Sequence, residues 1–321
     1  MREIIIGVNE ASQRMDKLLH KYMQLAGNGF IYKMLRKKNI VLNGKKATGK
    51  EILNENDVVT LYLSDETIAG FQKKIVMPEK YPMPDILYED ADVLILNKPC
   101  GMLSQKADAD DISMIDIAIA YMMSGGELSE EALRSFRPGI CNRLDRNTSG
   151  IVVIGKTLSA LRTCNRLIAD KKVRKFYITV ADGLISEPMH ISAYLLKRED
   201  NKVEVFDHPV EGAKYIETIY EPVGHTKAQT VLKVELLTGR THQIRAHLAF
   251  IGHPVAGDKK YNPDAKNSRY RHQLLHSYCM VFPEDKALKS LSAKKILAPL
   301  PDTFSYFLKY CGEEFIKSIN G

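Results

Sequence analysis

RLDRNTSGIVVIGK, residues 143–156, sets a polar loop directly against an apolar, β-branched run. Residues 151–156 have the composition of a strand, and Thr148, Ser149 and Gly150 supply hydroxyls and a permissive backbone where loop turns into strand. The pattern extends both ways. Thr157 to Asp170 is predicted helical, with Leu161, Cys164, Leu167 and Ile168 apolar. KFYITVADG at 175–183 reads as a strand, and AQTVLKVELL at 228–237 alternates, with Thr230, Leu232, Val234 and Leu236 on one face. THQIRAHLAFIG at 241–252 is a short helix with Ile244, Leu248 and Ile251 on one side. Upstream, DILYEDADVLILNKPCG at 85–101 is two strands joined by an acidic turn. Strands dominate and there is no strict βαβ rhythm, which predicts an α+β fold on a mixed, largely antiparallel sheet.

A smaller unit precedes this one. MREIIIGVNE opens as a first strand. RMDKLLHKYMQ at 14–24 carries Met15, Leu18, Leu19, Tyr22 and Met23 at helical spacing, with Ser12 as its expected N-cap. A second short helix near 30–37 has Ile31, Met34 and Leu35 on one side, and Lys33 and Lys37 on the other beside Arg36 and Lys38. In NIVLNGKKA, Asn43-Gly44 tolerates the positive φ of a type I′ turn, so a hairpin is predicted, with Lys45 just past the turn. DVVTLYL at 57–63 alternates like a half-buried strand. The expected division is a small domain over 1–63, a linker over 64–83 near Pro78, Pro82 and Pro84, and a large domain over 84–321.

Composition narrows the function classes. Of 321 residues, 45% are apolar and 26% charged, which is ordinary for a globular chain with a sizeable core. No apolar run approaches the roughly 18 residues that span a bilayer. The five cysteines, Cys100, Cys141, Cys164, Cys279 and Cys311, are scattered and form no C-x-x-C pair. Buried or partly buried free thiols in a reducing cytoplasm are expected, not a disulfide framework or a structural zinc site. Net charge is +7; residues 1–63 hold eleven Lys or Arg against six Asp or Glu, so +5 of it sits in the first fifth. Such an excess attracts polyanions.

Asp145 stands between Arg143 and Arg146. Opposite charge nearby favours the ionised form of a carboxylate, and an ionised Asp can act as nucleophile or base. The plainer reading is a loop ion pair with Arg143 or Arg146, and the segment by itself leaves both open. In LLTGRTHQIRAHLAFIGHPVAGDKKY, residues 236–261, a glycine turn leads into a helix start carrying Arg240, His242, Gln243 and Arg245. This reads as a phosphate-binding helix N-terminus, although arginines five apart need an irregular turn to meet one anion. His242 and His247 are also five apart, not four, and no Glu follows His242, so no metal site is expected. His247 is expected to be packed or capping, and His242 hydrogen-bonded. Lys98 reads as a strand-end lysine ahead of a phosphate contact. Lys171, Lys172, Arg174 and Lys175 suit nucleic-acid backbone or form a solvated face.

RLDRNTSG, KFY at 175–177, LLTGRTHQIRAHL, GHPVAGDKKY at 252–261 and LLHSY at 274–278 follow, in order, the motifs of the RluA-type pseudouridine synthases, and NKPCGML at 97–103 resembles that family's earlier Lys-Pro-x-Gly segment. The resemblance spans roughly residues 84–310. Residues 12–63 resemble the S-four-type RNA-binding domain, an αL module, through RMDKLL, the basic second helix, VLNGKKA and DVVTLYL. What the resemblance implies is an isomerase that turns uridine into pseudouridine in structured RNA without a cofactor, by breaking the bond from ribose to ring nitrogen and rejoining the rotated uracil through carbon 5. It places the catalytic aspartate at Asp145, the active-site tyrosine at Tyr177, and the aspartate's arginine partner at Arg245. Arg143 falls where the family fills the gap left by the flipped uridine. Asn142 stands where the family usually has His, which removes a group able to carry charge toward RNA. Tyr177 would offer an aromatic face and a hydroxyl able to accept a proton late in the reaction; apart from the resemblance it reads equally as a core tyrosine.

RNA contacts are therefore expected from Arg143, Arg240, Lys33, Arg36, Lys37, Lys38 and Lys45, with ribosomal RNA preferred over tRNA because of the small domain. No G-x-G-x-x-G or G-K-[ST] loop is present. The expected protein is a cytoplasmic monomer without metal or membrane partner. The main competing class is a non-catalytic RNA-binding or ribosome-assembly protein on the same fold; a base-excising glycosylase is a third. Product analysis separates them, because isomerisation keeps the mass and creates a new nucleoside.

Overall fold

The structure, a computed structural model, describes residues 1–75, 81–108, 110–198 and 202–320. In the small domain β1 (Arg2–Ile5), β2 (Ile40–Leu42), β3 (Lys45–Lys46) and β4 (Val58–Leu61) form an antiparallel sheet in the order β1-β4-β2-β3. Helices α1 (Met15–Tyr22) and α2 (Asn28–Arg36) bury Met15, Leu18, Leu19, Tyr22, Ile31 and Leu35 in a core shared with the sheet's Ile40, Val59 and Leu61. Asn43 and Gly44 have φ of 50° and 71°, as the type I′ turn requires. Two expectations change. Ser12 does not cap α1: it has a positive φ of 59°, and the N-cap position belongs to Arg14. The segment from residue 64 is not all linker, because α3 (Asp65–Gly70) starts there with Ser64 accepting the Thr67 N–H. Ile68 is buried in the small-domain core and Phe71 packs on Phe30, so the core's last contribution comes from residue 71. Pro78 lies outside the described residues.

The large domain is an eleven-stranded sheet. Chain order gives β5 (Ile86–Glu89), β6 (Val93–Lys98), helices α4 (Met114–Ser124) and α5 (Glu130–Ser135), β7 (Gly139–Ile140), β8 (Ser149–Gly155) and helix α6 (Leu158–Ala169). Next come β9 (Arg174–Asp182), β10 (Met189–Lys197), β11 (Val203–Phe206), β12 (Lys214–His225), β13 (Gln229–Leu236) and helix α7 (Gln243–Phe250). The chain closes with β14 (Leu275–Val281), β15 (Lys295–Leu297), α8 (Ser305–Leu308) and α9 (Glu313–Asn320). The main path is β11-β10-β12-β13-β9-β14-β8-β6-β5, with β15 on β14 and β7 on β8. Every pair is antiparallel except β14 with β8. The predicted mixed, largely antiparallel sheet is what the chain forms.

Alternation along the strands buries both faces. On one face Leu94, Leu96, Val152, Ile154, Tyr177, Leu232 and Val234 meet α4 and α7. On the other, Ile95, Ile151 and Val153 meet α6, and Phe176, Ile178 and Val180 meet Phe304, Phe307 and Phe315 of the C-terminal segment. The one parallel pair is built around Gly150. Its φ is 112°, and a Cβ there would lie 2.1 Å from the Ser277 carbonyl oxygen, so only glycine lets β8 approach β14. The small domain docks on α5 and the start of α6: Tyr22 and Ser135 hydroxyls donate to Glu131 and Glu10, and the Leu158 N–H donates to Asn9.

Candidate active site

Asp145 sits in the loop between β7 and β8, and its neighbours on both sides are pinned. The Asn142 side chain pairs with β8, its amide donating to the Ile151 carbonyl and its oxygen accepting from the Val153 N–H. Ser104 Oγ bonds both the N–H and the carbonyl of Leu144. The Arg146 carbonyl accepts from Lys98 Nζ at 2.9 Å and from the Gly101 N–H. Thus the NKPCGML segment holds residue 146 and Ser104, just after it, holds residue 144, which leaves the side chain between them oriented. Lys98 is a buried strand-end lysine, as its first reading had it. Its three donors are all used, on the carbonyls of Pro99, Met102 and Arg146. Burial still penalises its charge and brings its pKa down to about 8. Asn142 spends both amide groups on the strand, so its part here is to brace the loop.

Neither loop arginine pairs with Asp145. Arg143 is exposed, and Arg146 lies 3.8 Å from Asp111. The partner is Arg245, on the first turn of α7, whose Nη1 is 2.7 Å from Asp145 Oδ2. The rest of its fork is taken by Asp258: Nε to Oδ2 at 2.7 Å and Nη2 to Oδ1 at 2.9 Å. Burial opposes this cation, but Asp258 and Asp145 outweigh burial and hold the guanidinium well above its ordinary value. Asp258 is itself buried and accepts the Lys260 and Tyr261 N–H groups. A bidentate fork fixes direction as well as charge. Asp258 therefore aims Arg245, and Arg245 aims Asp145.

His242 begins α7 in the left-handed region, with φ of 55°. Its Nε2 lies 3.8 Å from Asp145 Oδ2 and its Nδ1 is 2.8 Å from the Tyr261 hydroxyl. That hydroxyl already accepts the Val203 N–H, so its own proton is available to Nδ1. Burial, with Arg245 and Lys260, keeps the imidazole less basic than usual. His247 is packed and bonded to the Tyr220 hydroxyl, as expected of it.

Tyr177 projects from β9 beside this array. Burial pushes its phenol up to about 12. It keeps its proton at neutral pH and presents a hydroxyl and a ring face to the cleft. Arg143, Asp145, Tyr177, Arg240, His242 and Arg245 line one open cleft of about 610 Å³, within the range of small-ligand sites. Arg240 is exposed on its wall while Arg245 is buried at its base, so the two arginines do not meet on one anion. Lys33, Arg36, Lys37, Lys38 and Lys45 are exposed on the small domain, outside this cleft. Of the thiols, Cys100 is exposed, against the expectation, while Cys141, Cys164 and Cys279 are buried and Cys311 is half-buried.

Sequence reasoning passed over Asp258 and Tyr261. The signal was present in GDKKY, a buried-type loop with one acid beside two lysines, but no spacing rule links residue 258 to residue 245 across the turn.

The cleft thus joins a carboxylate, a doubly held arginine and a tyrosine on a two-faced mixed sheet, a set fit for acid–base or nucleophilic chemistry. Residues 92–250 match the family described as RNA pseudouridylate synthase. A ribosomal large subunit pseudouridine synthase C from Pasteurella multocida is 30% identical, over 94% of this chain and 90% of its own. One of the same name from Vibrio parahaemolyticus is 32% identical over 82% and 81%. Among solved structures, human RNA pseudouridylate synthase domain containing 1 shares the fold, with a TM-score of 0.58 at 20% identity, covering 77% of this chain and 98% of that one. The chain belongs to the RNA pseudouridylate synthase family, of the RluA type, and is an isomerase acting on RNA. Among the described residues no helix is long and apolar enough to cross a membrane.

Proposed function

We propose that this enzyme isomerises a uridine of ribosomal RNA, with Asp145 as the reacting carboxylate. The observation that carries the reading is the chain Asp145–Arg245–Asp258 at the base of a cleft that Tyr177 also lines. Oδ2 of Asp145 is committed to Arg245, and Oδ1 has no hydrogen-bond partner among the described residues, which leaves it for the substrate. A stacked uridine cannot reach this oxygen, so the base must leave the helix. Tyr177 then supplies the face for the extruded ring, and Arg143 occupies the gap, a role that its exposure beside the cleft supports. Arg245 keeps the carboxylate's charge oriented in a partly dry site, where a fixed dipole or charge is worth more than in water. Asp145 attacking the sugar, attacking the ring or abstracting a ribose proton all use the same free oxygen.

The small domain acts in this scheme as an S-four-type RNA anchor, with Lys33, Arg36, Lys37, Lys38 and Lys45 contacting phosphates. Ribosomal RNA is favoured because the similar proteins from Pasteurella multocida and Vibrio parahaemolyticus carry that substrate in their names. The free thiols suit a reducing cytoplasm. Mapping pseudouridines in ribosomal RNA from cells with and without the gene tests the proposal. At least one position should be lost and be restored by wild-type protein but not by Asp145→Asn. An unchanged ribosomal map, with a lost position in tRNA, would reassign the substrate.

A further inference from the structure

Resting on that reading, we propose that Lys175 and the Gly239–His242 turn form a phosphate subsite beside the active site, which binds the backbone phosphate of the nucleotide being modified. Four basic residues run through 171–175, and the fold separates their tasks. Lys171 and Lys172 are exposed. Arg174 is bound by both oxygens of Glu235, at 2.8 and 3.0 Å. Lys175 is different: it is only 7% exposed, it lines the cleft, and it has no carboxylate or hydrogen-bond partner among the described residues. Burial, and Lys171 nearby, make its ammonium easier to deprotonate than usual; no acid opposes them. Burying an unpaired ammonium is costly, and Lys98, also buried, shows how this protein saturates one that serves structure alone.

The position of Lys175 names its ligand. Its Nζ lies 3.5 Å from where a Cβ would stand on Gly239, so it abuts the turn that leads into α7. Arg240 is exposed on the same cleft wall. The N–H groups of Thr241 and His242 precede the eight residues of α7 at the helix's positive end, and neither donates within the described structure. Two cations and two free amides suit the single negative charge and the two free oxygens of a backbone phosphodiester, whereas a neutral uracil carbonyl asks for one donor. Spacing agrees. Lys175 and Tyr177 lie on the same face of β9, two residues and so ~6.6 Å apart along the strand, a span of the order of that from a base to its own phosphate.

The test is a double substitution cycle in protein and RNA. Binding of an RNA fragment containing the mapped uridine is measured against salt, with each phosphate flanking that uridine replaced in turn by a neutral methylphosphonate. For wild type, one of these replacements should weaken binding roughly tenfold. Lys175→Met should weaken binding to the unmodified RNA similarly, lower the slope of log affinity against log salt by about 1, and be indifferent to that same replacement. In turnover, KM should rise with kcat within about threefold. An unchanged salt slope, or the full methylphosphonate penalty persisting in Lys175→Met, overturns the subsite. So does a wild type indifferent to every flanking methylphosphonate, a result independent of how the variant folds. Because all of these read binding, they remain interpretable if the RNA binds but no pseudouridine forms, the outcome that would instead remove the proposed reaction.

Discussion

The buried, partnered cations that hold the Asp145 loop and the exposed cations of the small domain are the same residue types under opposite conditions. Arg245 and Lys98 are buried and held by fixed acceptors: two carboxylates for one, three carbonyls for the other. Lys33, Arg36, Lys37, Lys38 and Lys45 stand in solvent. A buried, saturated charge has one position and fixes its neighbours, so removing a partner leaves an uncompensated group. An exposed charge contributes to a field, which is screened by salt and changes little when one member is lost. The largest effects are therefore expected at the cleft floor.

Asp145→Asn tests the floor most directly. It preserves shape and an acceptor for Arg245 but removes the charge. Turnover should fall by on the order of 10³-fold or more, with RNA affinity changed only a few-fold. Retention of more than a few per cent of wild-type turnover would show that the carboxylate is not the reacting group. Asp258→Asn comes next. It touches no substrate in the proposed scheme, yet it replaces a bidentate carboxylate with a group that presents one acceptor to the fork. We expect kcat to fall roughly 100-fold with KM little altered, and stability to drop by about 3 kcal/mol. Arg245→Lys should resemble it in kcat, because an ammonium cannot bond both acids in the same plane. A stable Asp258→Asn enzyme with full kcat would mean that Arg245 needs no aiming.

Lys98 offers a smaller effect with a definite sign. Its folded pKa, about 8, lies below the unfolded value of about 10.5. The unfolded chain thus binds more protons between those values, and this lysine's contribution to stability rises as pH climbs through the window and is lost as pH falls through 8. Lys98→Met has no such proton. Denaturant titrations from pH 7 to 10 should show wild type gaining ~1–3 kcal/mol on Lys98→Met. Parallel curves would mean that the three carbonyls hold the ammonium at its ordinary basicity.

The sequence displayed the strands of this fold better than its helices, and Asp145 better than its support. β6, β8, β9 and β13 are β-branched or alternating, and their ends fall at polar turns, so periodicity finds them. α4 escapes it because it is buried nearly all round: Ile117, Ala118, Ile119, Ala120 and Met122 are all inside, and no polar stripe marks a period. β10 and β12 carry polar faces such as Glu217 and His190, which dilute the apolar signal. At the site, family motifs brought Asp145, Tyr177 and Arg245 together, and the coordinates agree. The adjacent arginines suggested the wrong local pair, because neighbours in sequence at a tight loop point apart, while the true partner stands 100 residues on. Lys175 looked like one of four equivalent basic residues; only strand alternation, with Phe176 facing the opposite core, turns it into the cleft.

The smallest effects should come from the basic face of the small domain. Lys33→Gln and Lys37→Gln, each alone, should raise the Kd for ribosomal RNA about two- to fivefold at moderate salt and reduce the salt slope by about 1. Both lysines are exposed, so thermal stability should stay within ~0.5 kcal/mol of wild type. Lys33 lies in the last turn of α2 and Lys37 caps its end, yet each contact releases its own counterion, so the double variant should lose close to the sum of the two slopes. This is also where the comparison between buried and exposed cations is most easily broken. A single Gln substitution that costs as much as Lys175→Met would mean that the small domain grips one phosphate in a built site. Equal, small and additive losses, vanishing together as salt rises, are what a solvent-exposed field requires.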